Sequence, residues 1–325
     1  MNATEVKQIA EAGKKVRENI EKVIVGKSQV IELVLVCVFC EGHVLIEDVP
    51  GVGKTMLARA AARSLNCVFH RIQCTPDLLP SDITGTHVFN QKTCDFDFKP
   101  GPVFSQVLLA DEINRATPRS QSALLEAMEE RQVTLEGETR KLPRPFLVLA
   151  TQNPIELEGT FPLTEAQLDR FLMKLSIGYT TEAEDAQILS RFIEGNPIED
   201  LQPVLDSQEV IDLQKMCQKV LVTPDIRQYI IQLIRATRNQ AHIELGASPR
   251  AMIGLCKTAQ ALAALRGRAF VIPDDVKYLA PFVLAHRIIP ETSISLKGHS
   301  REDIVREALD SVAVPVEKEP QTAPH

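Results

Sequence analysis

The stretch HVLIEDVPGVGKTMLARAAARSL, running from His43 to Leu65, decides the fold. Val44, Leu45 and Ile46 make a short apolar run of the kind found in buried strands, and LARAAARSL is a run of helix formers. Between them DVPGVGKT carries Pro50, Gly51 and Gly53, which suit a tight loop. Strand, loop and helix in that order place backbone N–H groups and a helix N-terminus around a phosphate. Val49, Pro50, Gly51, Val52, Gly53, Lys54, Thr55 and Met56 are therefore expected to bind a nucleotide. Lys54 would reach the outer phosphates, and the Thr55 hydroxyl would bind Mg²⁺. One position departs from the usual G-x-x-x-x-G-K-[ST]: Asp48 stands where the first glycine is expected, which removes no ligand.

VLLADEINRA (107–116) supplies a second element. Its apolar residues end in Asp111 and Glu112, at the carboxyl edge of a strand where ligands sit in parallel sheets. Neighbouring strand residues point to opposite sides, so Asp111 is expected in the Mg²⁺ shell and Glu112 as the base for an attacking water. ATQNP (150–154) ends another apolar run, and Asn153 there could contact a γ-phosphate or cap the turn before Pro154. QLDRF (167–171) places Arg170 at a helix end, where it could pair with acidic neighbours or reach another subunit's γ-phosphate. SPRA (248–251) sets Arg250 in the first turn of a helix, where a cation opposes the helix dipole and an anionic ligand would offset the cost.

Further apolar runs at 67–74 and 172–178 bring the strand count to five. With helices between them, they imply a doubly wound α/β domain with a parallel sheet. Residues 86–106 read as a hairpin or irregular insert, 118–132 as a helix with Leu124, Leu125 and Met128 on one side, and 133–142 as a hairpin turning at Glu136–Gly137. From about Thr181 every segment has helical period. The expected organisation is an αβα nucleotide-binding domain over 1–180, a helical domain over 181–313 and a disordered tail over 314–325.

Bulk properties narrow the classes. The chain has 325 residues, 44% of them hydrophobic, so large cores are available. No apolar run approaches a membrane helix, and the N-terminus lacks a signal core, which points to a soluble cytoplasmic protein. A net charge of −7 and the lack of Trp argue against a nucleic-acid surface. Cys37 and Cys40 form a C-x-x-C inside an apolar helical run with no second pair, which reads as buried thiols rather than a zinc site.

Taken together, IVGKSQ (24–29), EDVPGVGKT (47–55), GPVFSQVLLADEINRA (101–116), QSALLEAMEERQVT (121–134), ATQNP (150–154), FPLTEAQLDRF (161–171) and SPRA (248–251) resemble the AAA+ ATPases, and within them the MoxR family. The similarity covers about residues 5–315. It implies an αβα P-loop domain followed by a small helical lid. It also implies that Lys54 and Thr55 are Walker A, Asp111 and Glu112 Walker B, Asn153 sensor 1, Arg170 an arginine finger acting in trans and Arg250 sensor 2. Val25 and Gly26 would line the adenine pocket, 75–100 would be the helix-2 insert, 132–142 the hairpin before sensor 1, and Arg115 a further contact between subunits. Relatives of this kind form hexameric rings that act as chaperone-like assembly or metal-insertion factors, often with partners carrying von Willebrand factor A domains. The function so implied is Mg²⁺-dependent ATP hydrolysis driving maturation of a protein partner, with a DNA-dependent motor and a nucleotide-gated scaffold as alternatives. ATP is favoured over GTP because no N-K-x-D motif appears.

Overall fold

A computed structural model describes residues 1–155, 159–239, 243–291 and 299–315. The tail expected over 314–325 therefore falls, from residue 316 on, outside the described residues.

Two helices precede the sheet, α1 (Ala3–Glu21) and α2 (Ser28–Phe39). Asn2 caps α1 through a capping box with Glu5. The five expected strands are β1 (Val44–Glu47), β2 (Phe69–Gln73), β5 (Val107–Asp111), β8 (Leu147–Gln152) and β9 (Met173–Leu175). They form one parallel sheet in the order β2-β5-β8-β1-β9. The strand before the phosphate loop thus lies inside the sheet, with β8 on one side and β9 on the other. The central strands read as continuous apolar runs because both faces are covered. Val44, Ile46, Leu109 and Leu149 face a core built with α1, α2 and α3 (Lys54–Ser64). Leu45, Leu108, Ala110, Val148 and Ala150 face a second core that holds Leu124, Leu125 and Met128 of α5 (Pro118–Glu130). β2 differs: it is an edge strand, and His70, Arg71 and Gln73 are exposed.

The segment read as a hairpin or irregular insert forms a hairpin, and the hairpin expected over 133–142 is present. After the short α4 (Pro80–Thr84), β3 (Gly85–Asn90) pairs antiparallel with β4 (Asp95–Pro100), and β6 (Gln132–Leu135) pairs with β7 (Glu138–Lys141). They touch each other: His87 Nδ1 lies 3.2 Å from Glu136, and the Arg140 guanidinium stacks 4.3 Å above Phe98. Val88, Phe89 and Phe96 remain exposed on the first hairpin.

The QLDRF helix, α6 (Glu165–Leu168), is one turn long, so Arg170 lies past its end rather than on it. The remainder is helical: α7 (Glu182–Glu194), α8 (Pro197–Asp200), α9 (Ser207–Cys217), α10 (Pro224–Asn239), α11 (Pro249–Leu265), α12 (Pro273–Leu284) and α13 (Arg301–Ser311). One addition to the expected helical part is a small ladder between β10 (Ile243–Leu245) and β11 (Ile289–Pro290). The apolar core of α1 and α2 continues without a break into α9–α13. Glu32 of α2 fastens the junction, accepting from Arg17 (3.2 Å), Arg266 (3.1 Å) and the Tyr278 hydroxyl (3.1 Å). Cys37 and Cys40 are free thiols pushed to high pKa by burial, and no group of three metal-ligating side chains occurs among the described residues.

Candidate functional site

Parallel strands present their carboxyl ends at one edge of the sheet, and the candidate site is built there. The loop after β1 runs through Gly51 (φ +86°) and Gly53 (φ +91°), left-handed conformations that glycine adopts without strain. A Cβ at either position would meet nothing within 4 Å, so both glycines face open space. Lys54 and Thr55 are the first two residues of α3, and no side chain caps that helix. Its leading N–H groups are left for a ligand, and an anion is the ligand they favour. In this structure Lys54 Nζ donates to the Asp48 carbonyl at 2.8 Å.

Asp111 ends β5, and β5 neighbours β8 in the sheet. The Thr151 hydroxyl on β8 joins the acidic pair: it donates to Asp111 Oδ1 at 2.6 Å and accepts the Glu112 N–H at 2.8 Å. Glu112 does not continue the strand. It takes a left-handed conformation (φ 57°, ψ 50°), so its direction comes from a turn and not from strand alternation. Such a backbone costs an ordinary residue roughly 1–3 kcal/mol and is concentrated at functional sites. The Glu112 carboxylate accepts from Gln73 Nε2 (2.8 Å) and Arg115 Nη1 (3.2 Å). Arg71 on β2 grips Asp111 Oδ2 with Nη2 at 2.6 Å and Nε at 3.1 Å. Asn153, 5% exposed, follows β8 and accepts the Ile155 N–H at 3.2 Å, so it caps its turn beside the acidic pair.

Val25 is buried and Gly26 exposed at φ +72°. The Glu184 carboxylate of α7 packs so closely on Gly26 that a Cβ there would overlap it at 1.7 Å. Its left-handed backbone favours glycine at position 26, whereas the Glu184 side chain could swing aside.

Arg170 and Arg250 are brought together, but away from the contacts of the loop. Arg170 Nε lies 3.0 Å from Glu129 Oε2 of α5, and Arg250 Nη2 pairs with the other oxygen of the same carboxylate. Arg250 also faces Asp169 at 3.9 Å. These carboxylates offset the cost of a cation in the first turn of α11, which the sequence left to a bound anion. Asp169 in turn receives Arg287 Nε (2.7 Å) and the Ser248 hydroxyl (3.2 Å). Arg287 is almost wholly buried and donates to the carbonyls of Phe171 (2.7 Å), Asp169 (3.1 Å) and Leu172 (3.2 Å). The turn that carries Arg170 is therefore tied to the helical part chiefly by the buried Arg287 guanidinium, with Ser248 and Arg250 on Asp169 beside it.

The donor set fits a nucleotide with Mg²⁺. A carboxylate, a hydroxyl and phosphate oxygens are hard ligands of the kind Mg²⁺ accepts without a dedicated protein cage. Asp111 and Thr55 would hold it, and Lys54 with the loop N–H groups would hold the phosphates.

Two family models match the chain: the ATPase family associated with various cellular activities over residues 43–173, and the AAA lid domain over 235–308. Chaperone MoxR1 of Mycobacterium tuberculosis is 42% identical over 91% of this chain and 80% of its own length. The chain belongs to the MoxR family of AAA+ ATPases. Protein MoxR of Methylorubrum extorquens is 31% identical over 94% of this chain and 96% of its own, and the uncharacterized protein YeaC of Bacillus subtilis is 51% identical over 93% and 94%. A solved structure from Cytophaga hutchinsonii, assigned provisionally as an ATPase, superposes with a TM-score of 0.90 at 39% identity, covering 96% of this chain and 98% of that one. The MoxR-family core and lid are the two regions that the family models match.

Several of the side chains in this MoxR-family site escaped the sequence reading. Gln73, Arg71 and Thr151 carry no motif of their own and reach Asp111 and Glu112 only through strand order. Glu129 and Arg287 meet the predicted arginines only in the tertiary fold. Asp169 could have been suspected, since it precedes Arg170 in QLDRF.

Proposed function

We propose that this MoxR-family protein hydrolyses Mg-ATP in a hexameric ring and uses the cycle to remodel or mature a protein partner, one carrying a von Willebrand factor A domain. The observation that carries this reading is the division of the site. Lys54, Thr55, Asp111, Glu112 and Asn153 stand at one edge of the sheet, whereas Arg170 and Arg250 share Glu129 elsewhere. Completing the constellation then calls for a second copy of the chain, whose Arg170 and Arg250 would enter as a pair.

In this mechanism Lys54 and the loop N–H groups bind the β- and γ-phosphates, and Gly26 with Val25 lines the base. Thr55 and Asp111 would hold Mg²⁺, which would supply positive charge to the phosphate oxygens. Glu112 orients the attacking water and takes its proton, with Gln73 and Arg115 holding the carboxylate until substrate arrives. Asn153 would contact the γ-phosphate or the water. The neighbour's Arg170 stabilises charge as the phosphoryl group transfers. Glu129 can release both arginines readily: Arg170 is 30% and Arg250 47% exposed, and ion pairs that exposed are worth about 0–1 kcal/mol. The exposed Val88, Phe89 and Phe96 give the insert an apolar surface for a client.

The test is a mixing experiment. Glu112→Gln subunits retain a binding pocket and arginines, and Arg170→Ala subunits retain a base. Mixed rings should regain hydrolysis that neither variant shows alone. No recovery at any ratio removes the shared site.

A further inference from the structure

Asp48 occupies the position where a phosphate loop ordinarily begins with glycine, and the structure shows what its side chain does. It is 8% exposed. Its carboxylate accepts four hydrogen bonds: Val49 N–H at 2.9 Å, the Ser176 hydroxyl at 3.0 Å, Ile177 N–H at 2.6 Å and Gly178 N–H at 2.7 Å. Four is about the full accepting capacity of a carboxylate. The successive N–H groups of Ile177 and Gly178 form an anion-binding concavity, helped by the left-handed Gly178 (φ +69°). Burial alone would raise the Asp48 pKa, but the donors from Gly178, Ile177, Ser176 and Val49 outweigh it and hold the group ionised.

The backbone of the same residue is also engaged. Asp48 N–H donates to the Gln152 carbonyl at 3.2 Å, next to Asn153, and its carbonyl receives Lys54. Beyond Gly178 the chain passes Tyr179, whose carbonyl accepts Lys27 Nζ at 2.7 Å, and Thr181, which caps α7. α7 then lays Glu184 on Gly26. One residue therefore joins the loop, the Lys54 ammonium, the end of β8 and the strap 176–181 that leads to α7.

We propose that Asp48 is a positioning residue that ties the phosphate loop to the Ser176–Gly178 strap, so that nucleotide occupancy of the loop is felt at the start of α7. The proposal rests on the phosphate-loop reading above. When Lys54 turns from the Asp48 carbonyl to a phosphate, the strap follows through the carboxylate. A glycine at position 48 would bind phosphate with the same backbone but would leave the strap's N–H groups without this partner.

The experiment is amide hydrogen exchange at Ile177 and Gly178 in the full chain, with and without ADP or a non-hydrolysable ATP analogue, alongside nucleotide Kd and ATP turnover. In the wild type, nucleotide should change protection of these two amides. In Asp48→Asn, which keeps the size and loses the charge, Kd should stay within about threefold, unliganded exchange at both amides should rise by about tenfold and the nucleotide response should vanish. The kcat should fall while KM holds. Gly178→Ala, which strains the strap and leaves Asp48 intact, should uncouple the same amides and serves if Asp48→Asn fails to fold. A wild-type-like nucleotide response at Ile177 in either variant overturns the proposal. Lys54→Ala separates the two readings: if it binds nucleotide normally, the phosphate-loop assignment itself fails, whatever the strap does.

Discussion

Arg170 and Arg250 are held by the two oxygens of one carboxylate, Glu129, although they come from different parts of the chain. Arg170 follows the short helix before the last sheet strand, and Arg250 opens a lid helix. Both pairings end on Glu129, so a movement of that carboxylate alters both. Arg170→Ala should lower turnover by about 10³-fold or more, the scale of arginine fingers, with nucleotide affinity little changed. Arg250→Ala should fall in the same class. Steady-state kinetics beside equilibrium binding check both.

Glu129 holds the pair through its two carboxylate oxygens. Glu129→Gln should weaken the resting hold while leaving the Glu112 base in place. Because half-exposed ion pairs contribute little, the expected stability loss is under about 1 kcal/mol. A fall in stability of several kcal/mol under urea titration would show that Glu129 is structural.

Lys54→Ala should abolish productive nucleotide binding, since it removes the ammonium that reaches the phosphates. Glu112→Gln should bind ATP and fail to cleave it, so that bound nucleotide recovered from the variant remains triphosphate. Normal turnover in Glu112→Gln would defeat its assignment as base.

The buried contact is predicted to behave in the opposite way from the exposed ones. Arg287 is 3% exposed and pairs with Asp169. Arg287→Met removes the buried partner of Asp169 and leaves that carboxylate to the Ser248 hydroxyl and the half-exposed Arg250, and should cost about 3–5 kcal/mol. Thermal unfolding measures it, and the loss should extend to Arg170 function because the turn carries both.

His43 sets a pH dependence of stability. Both ring nitrogens are engaged inside the core, with Val148 N–H and the Met128 carbonyl each at 3.0 Å. Burial pushes its pKa down to about 4, against the hydrogen bond that the ring donates to the Met128 carbonyl, which raises it. The folded state therefore binds fewer protons than the unfolded state between the ordinary histidine value near 6.5 and about 4. Stability should be fully present above pH 6.5 and fall as pH drops through that window, by about 2 kcal/mol from this group at pH 5. Denaturant midpoints from pH 7.5 to 5 should show the slope, and His43→Gln should reduce it.

Much of this protein is written locally. Strand, glycine loop and helix follow in order within one short stretch, and apolar period placed the five strands and the long helices. Those features rest on neighbours in the chain, so sequence is enough to read them. Strand order was not local. It brings the edge residues Arg71 and Gln73 of β2 to Asp111 and Glu112, and it sets Thr151 between the two acids. Glu112 turns by a left-handed backbone that alternation along a strand does not foresee. Asp48 reads in sequence as a missing glycine, and only the fold shows that its carboxylate is filled by N–H groups arriving from the exit of β9. Local order determined which residues are the candidates for the chemistry. The partners that hold them were decided in three dimensions, because a hydrogen bond between distant segments depends on how strands are ordered and helices packed.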